Sequence, residues 1–234
     1  MKNYNPLEEY ALKELENKGY DIETPWDAVD IFEKKIAEFA GSKFAVAIDN
    51  CTDAIFLCLK YLKCASQGKT ISIPKRTYIS IPMTINNAGC KFRFEDRAWS
   101  GLYQLKPYPI YDSAVRFTKG MYIQDSFQCL SFHRKKILKM TKGGMILTND
   151  ESAASWFKIA RAKGRHPHED VLYKNETFEQ IGWNMYMPPE HAAQGILIFD
   201  EMKKINEDSG SDETYHDLTR HPIFSQDRNQ ERAF

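Results

Sequence analysis

Residues 131–145 read Ser131-Phe-His-Arg-Lys-Lys-Ile-Leu-Lys-Met-Thr-Lys-Gly-Gly-Met145. A hydroxyl ends the apolar run Gln128 to Phe132, and four lysines then follow within eight residues. The pair Gly143-Gly144 leads into a second strand-like run, Gly144 to Thr148. This pattern predicts a short basic turn between two buried strands. A lysine on such a turn is expected to be desolvated and surrounded by other cations, and both effects favour the neutral amine that attacks a carbonyl. The same residues also suit a solvated basic turn, or a patch for nucleic-acid phosphates. The rest of the chain has to separate these readings.

Composition narrows them. With 234 residues the chain is one large domain or one domain with an appendage. A hydrophobic content of 42% with 13% aromatics supports a substantial core and excludes global disorder. Lys plus Arg and Asp plus Glu are both 32, a formal charge of zero. Nucleic-acid binding usually leaves a basic excess, so the basic turn is a local feature and nucleic acid is not the expected partner. The five cysteines form no CxxC pair and mostly lie in apolar runs, which predicts buried, reduced thiols in a cytosolic protein. No run approaches the ~20 apolar residues of a membrane span. The start, Met-Lys-Asn-Tyr-Asn-Pro, leads into a charged helix with no signal-peptide core. A soluble, cytoplasmic protein without a membrane partner is expected.

Along the chain, Pro6 to Lys18 predicts a helix, with Asn5 as cap and Gly19 as stop. A second helix runs from about Trp26 to Ala40, with Val29, Phe32, Ile36 and Phe39 as its apolar stripe. Phe44 to Ile48 is a strand buried on both faces; Asp49-Asn50-Cys51-Thr52 follows, then a helix from Asp53 to about Lys63. A helix N-terminus directly after a strand is suited to an anion, and Thr52 is placed to cap it and donate its hydroxyl. Thr70 to Ile73 is a strand, with the loop Pro74 to Tyr78, a helix from Ile79 to Asn87, and a strand from Lys91 to Phe94. Tyr108 to Tyr111 is a short strand ending in Asp112, and Met121 to Ile123 is expected to add another. Helices are predicted over Glu151 to Lys163 and Pro188 to Ile205, separated by a polar loop from Arg165 to Gln180. Beyond Asn206 the chain is polar: Asn206 to Asp212 is expected to be mobile, with Tyr215 to Phe224 able to dock. This gives residues 1–25 as an N-terminal helical segment, 26–205 as the main domain and 206–234 as a polar remnant. Strand–turn–helix units at this interval define an α/β fold with a mixed, mainly parallel sheet.

Ligands bind such a sheet at the carboxyl ends of its strands. Four groups fall at such ends: Asn50 to Thr52, Thr77-Tyr78, Asp112, and Ser131 with Lys136. They supply an anion cradle, an aromatic face, a carboxylate and an amine. His166-Pro167-His168 lacks further ligands at metal-binding spacing, so a loop or substrate-contact role is expected there and no metal.

Over residues 30 to 205 these motifs and their order resemble the DegT/StrS-type sugar aminotransferases. Cys51-Thr52-Asp53-Ala54-Ile55 resembles that family's Gly-Thr-Asp-Ala-Leu, and Pro74 with Thr77-Tyr78 its Pro-x-x-Thr-aromatic loop. Asp112-Ser113-Ala114 falls where the family has Glu-Asp-Ala-Ala-Gln, and Ser131 to Gly144 resembles its lysine segment. Gly182-Trp183-Asn184 is similar to Gly-Tyr-Asn-Tyr-Arg-Met. The resemblance implies a three-layer α/β/α large domain of the PLP-dependent transferase fold (fold type I), with the small C-terminal domain largely missing. It implies pyridoxal 5'-phosphate (PLP) held covalently by Lys136, with Lys135 the close rival, and Asp112 holding the ring nitrogen protonated. Tyr78 would stack on the ring; Cys51, Thr52 and Ser131 would line the phosphate, and Asn184 would reach the phosphate of a neighbouring subunit. The implied reaction moves an amino group from an amino acid, glutamate by analogy, to a nucleotide-linked keto sugar in a homodimer with shared active sites.

Several positions depart from the pattern. Cys51 replaces a glycine, Val115 the glutamine that bonds the cofactor's phenolic oxygen, and Tyr111 a glutamate. Lys142 replaces an acidic residue before Gly-Gly, and Tyr186 an arginine. The resemblance therefore bears more on the cofactor platform than on the substrate site. A dehydratase on the same platform stays open, although dehydratase relatives lose the lysine; so does a shortened, catalytically weak homologue serving as a binding or regulatory subunit.

Overall fold

The computed structural model describes residues 6–166, 175, 177–178 and 180–224. Within them the helices are α1 (Pro6–Asn17), α2 (Asp27–Ala40), α3 (Cys51–Tyr61), α4 (Ser80–Asn87), α5 (Glu151–Ala160) and α6 (Pro189–Asp200). The strands are β1 (Phe44–Ile48), β2 (Ile71–Pro74), β3 (Phe92–Glu95), β4 (Tyr103–Gln104), β5 (Ile110–Asp112), β6 (Phe127–Ser131) and β7 (Gly144–Thr148).

Five strands form one sheet in the order β1-β7-β6-β5-β4, and β2 pairs with β3 beside it. The lysine turn joins β6 to β7 without a helix that could serve as a parallel crossover, and the two strands pair antiparallel. The same limit sets β4 against β5, which are separated by a few residues with no helix between them. β5 and β6 are parallel, and β1 points the same way because β7 is antiparallel to both β1 and β6. β2 and β3 are parallel, and an antiparallel bridge from Ser72 to Lys106, just past β4, gives them the direction of β5. The sheet is mixed, with β4 and β7 running against the rest.

Alternation along the strands divides the core into two layers. Val46 and Ile48, Cys129, and Ile146 face α3, α4 and α5. Ala45 and Ala47, Leu130, and Met145 and Leu147 face α1, α2 and α6. This is the expected α/β/α arrangement, with α1 part of the core through Leu12 and Leu15. All five cysteines are buried and free, and among the described residues no helix is long and apolar enough to cross a membrane.

At the β1 edge a buried ion cluster ties the two layers together. Arg161, at the end of α5 and fully buried, donates to Glu33 of α2 and to the Ala47 carbonyl at 2.6 Å. Glu33 also accepts the Ala47 amide at 2.8 Å and pairs with Lys158 at 2.8 Å.

The structure corrects three expectations. Met121–Ile123 is not a strand: the buried Gln128 side chain accepts the Ile123 amide at 3.1 Å and donates to the Met121 carbonyl at 3.4 Å, in place of a ladder. The last long helix stops at Asp200, not Ile205. Asn206–Asp212, expected to be mobile, is bonded along its length. Asn206 donates to the Phe117 carbonyl, Asp208 pairs with Arg116 at 2.6 Å, and the Ser209 and Asp212 amides donate to the Val115 and Trp99 carbonyls. Tyr215–Phe224 docks, with Leu218 bonded to the Lys75 carbonyl and the Phe224 ring against Phe92 and Phe94. Polar residues that bond to backbone leave no periodic trace in a sequence. Asn5 and His168 lie outside the described residues.

Candidate active site

The strand ends converge on one cavity of about 880 Å³, within the usual range for small-molecule sites. Asn50, Cys51 and Thr52 line it from the start of α3, Thr77 and Tyr78 from the loop after β2, and Asp112 from the end of β5. Ser131, Lys135 and Lys136 line it from the lysine turn. Asn184 is not brought there: it is exposed, and its backbone bridges Ala162.

The α3 terminus is capped by Asn50, whose side chain accepts the Asp53 amide at 2.9 Å, and not by Thr52. Thr52 instead shares a hydrogen bond of 2.8 Å with Ser80, the first residue of α4. Two hydroxyls and a helix start thus face one side of the cavity. The lysine turn passes close by, since a Cβ on Gly144 would stand 2.4 Å from the Asn50 carbonyl carbon. Cys51 does not need glycine's freedom: its φ is not positive, and its Sγ points to Asp112 Oδ1 at 3.9 Å.

Asp112 is 5% exposed. Its Oδ1 accepts the Ala114 amide at 2.9 Å and its Oδ2 accepts the Tyr103 hydroxyl at 2.7 Å. Burial pushes its carboxyl above the usual range, while Tyr103, the Ala114 amide and the Lys136 ammonium pull it back. Burial, reinforced by Asp112, pushes the Cys51 thiol well up, so it is neutral.

Lys136 is partly buried, and its amide closes a turn onto the His133 carbonyl at 2.7 Å; Lys135 beside it is exposed. Of the cations expected around it, Lys135 and Lys142 line the same cavity. Lys142 is bonded to Asp49 at 2.8 Å, in an acidic pair where burial and Asp49 raise the Asp53 carboxyl to about 6.

Tyr78 is 57% exposed, with its ring 6.5 Å from that of Tyr215, which stacks on Trp99 at 5.7 Å. Burial and the Asp112 charge push the Tyr215 hydroxyl up to about 12. Ser80, Trp99, Tyr103 and Tyr215 escaped the sequence reading. Ser80 alone carried a signal, a hydroxyl at a helix start three residues after Thr77. No metal-holding cluster occurs among the described residues.

A lysine amine, a buried carboxylate, an aromatic ring and a hydroxyl-lined helix terminus therefore lie around one cavity, in the fold of the PLP-dependent transferases. The model of the DegT/DnrJ/EryC1/StrS aminotransferase family matches residues 8–108 and 119–217, and the chain belongs to that family. It is 34% identical to the spore coat polysaccharide biosynthesis protein SpsC of Bacillus subtilis, covering 84% of this chain and 64% of that protein. It is 23% identical to the GDP-perosamine synthase of Caulobacter vibrioides, covering 75% and 56%. The chain thus spans about three-fifths of these relatives' lengths. AtS13 from Actinomadura melliaura superposes with a TM-score of 0.68 at 16% identity, covering 85% of this chain and 65% of that one. A putative PLP-dependent aminotransferase from Bacillus cereus gives 0.66 at 20% identity, covering 83% and 63%. These likenesses establish the fold. The family's cofactor is PLP, and the donor set fits it: hydroxyls and a helix terminus for a phosphate, and a carboxylate for a protonated ring nitrogen.

Proposed function

We propose that this chain is an aminotransferase that moves an amino group from an amino acid, glutamate for preference, to a nucleotide-linked keto sugar. The observation that carries the reading is the convergence of Cys51, Thr52, Tyr78, Asp112, Ser131 and Lys136, from four separate strand ends, on one cavity. The relatives' names, a GDP-linked sugar synthase and a polysaccharide biosynthesis protein, support the substrate class.

In this reading residues 26–205 form the cofactor platform. Thr52, Ser131 and the α3 terminus hold the phosphate, and Tyr78 covers the ring. PLP, when bound, supplies an electron sink. Lys136 Nζ would anchor it and would move the proton at the donor's α-carbon, and Asp112 would keep the ring nitrogen protonated. Asn184, exposed and away from its own cavity, is assigned to the site of a second copy, giving a homodimer. Free buried cysteines and a nucleotide-linked substrate suit the cytoplasm.

The test is the first half-reaction. PLP-loaded protein given glutamate without any sugar is expected to release 2-oxoglutarate in an amount equal to the cofactor bound. Cofactor binding without release of keto acid would reject transamination. It would support the binding-subunit reading, which Val115 on the cavity wall favours.

A further inference from the structure

Asp112 is more buried than its proposed task tolerates unaided, and the structure supplies an aid that no sequence motif marks. β4 is two residues long, and its register sets Tyr103 directly opposite Asp112. Directly opposed residues on an antiparallel pair share a face, so a slip of one residue would send the phenol to the other side. Here the hydroxyl reaches Asp112 Oδ2 at 2.7 Å. Since that hydroxyl donates to the carboxylate, its oxygen accepts from Thr77 Oγ1, also in contact with it. The result is a directed chain from Thr77 to Tyr103 to Asp112. Trp99 fixes the ring at 4.8 Å between centroids, and its own indole N–H is held by the Arg76 carbonyl at 2.8 Å.

We propose that Tyr103 is a positioning residue that keeps the Asp112 carboxylate ionised and fixed at the cavity wall, an inference that rests on the PLP reading of the cavity. Each carboxylate oxygen accepts more than one hydrogen bond, so the bonds from Tyr103 and Ala114 leave room for a ring N–H. The groups facing Asp112 are Tyr103 from β4, Cys51 from α3, Cys129 from β6, Lys136 from the lysine turn and Tyr215 from the C-terminal segment. Both thiols and both phenols are pushed up and stay neutral. Burial favours the neutral acid, and Tyr103 is foremost among the groups that oppose it. Without the phenol, burial prevails and Asp112 takes up a proton at a higher pH. A neutral carboxyl cannot pair with a protonated ring.

The test uses Tyr103→Phe, which keeps the ring and removes the bond. In cofactor-free protein carrying carboxyl-¹³C aspartate, the Asp112 signal, assigned with Asp112→Asn, is expected to titrate at higher pH in the variant than in the wild type. An unchanged midpoint overturns the proposal. Thr77→Val, which leaves the Tyr103 bond in place, is expected to move the signal less than Tyr103→Phe does; an equal or larger shift also overturns it. PLP affinity, read by fluorescence titration, is expected to fall about tenfold at a pH below the variant's carboxyl midpoint and to recover at a pH above it. An equal loss at both pH values marks a merely structural residue and counts against the proposal. Should the wild type bind no PLP while the carboxyl signal still shifts, the cofactor reading fails and the hold of Tyr103 on Asp112 stands.

Discussion

Lys136→Ala is expected to lower amino transfer by about 10²- to 10⁴-fold, the range for removing a positioned proton-transfer group, while Lys135→Ala leaves most of it. The neighbours are chemically identical, and only local geometry separates them. The Lys136 amide is bonded to the His133 carbonyl at 2.7 Å, and its side chain is partly buried. Its ammonium is close enough to hold down the Asp112 carboxyl. Lys135 lines the same cavity but is exposed. Lys142, the other lysine on that wall, is bound to Asp49 at 2.8 Å and is not free to substitute. Steady-state rates of the two variants check the assignment. Equal losses in both, or a larger loss in Lys135→Ala, would contradict it.

Glu33→Ala is expected to destabilise the fold by about 3–5 kcal/mol, because removing one partner leaves the other charge buried and uncompensated. Arg161 is fully buried and has no solvent to turn to. For a chain of this size that corresponds to a fall in Tm of roughly 6–20 °C. Replacing Glu33 and Arg161 together with apolar residues of similar volume should recover much of the loss, since the desolvation of both charges then disappears. The pH dependence has a definite sign. Burial pushes the Glu33 carboxyl up, but the Arg161 guanidinium and Lys158 ammonium outweigh it and hold the group below the ordinary glutamate value. Its contribution is therefore complete above the unfolded value of about 4.3 and is lost as the pH falls through the folded one. Urea unfolding at neutral and acid pH should show the gap between Glu33→Ala and the wild type narrowing on acidification. A gap that widens would reverse the account of this cluster.

What the sequence disclosed, and what it hid, follows from the range of each interaction. Phe44–Ile48 and Gly144–Thr148 were legible to the residue because both are apolar runs covered on two faces. The convergence of Thr52, Tyr78, Asp112 and Ser131 was legible because α/β sheets gather ligands at strand ends. β4 was not, as two residues carry no period, although its Tyr103 completes the Asp112 environment. The bonding of Asn206–Asp212 escaped notice because it depends on distant backbone groups, including the Val115 and Trp99 carbonyls. Cations were expected around Lys136, but the pairing of one of them, Lys142, with Asp49, remote in sequence, was not.

Borohydride reduction of the protein equilibrated with PLP, followed by peptide mapping, is the most direct test of the site as a whole. A single modified peptide with the label on Lys136, lost in Lys136→Ala, is the predicted result. Label on Lys135, label scattered over surface lysines, or none at all would contradict it.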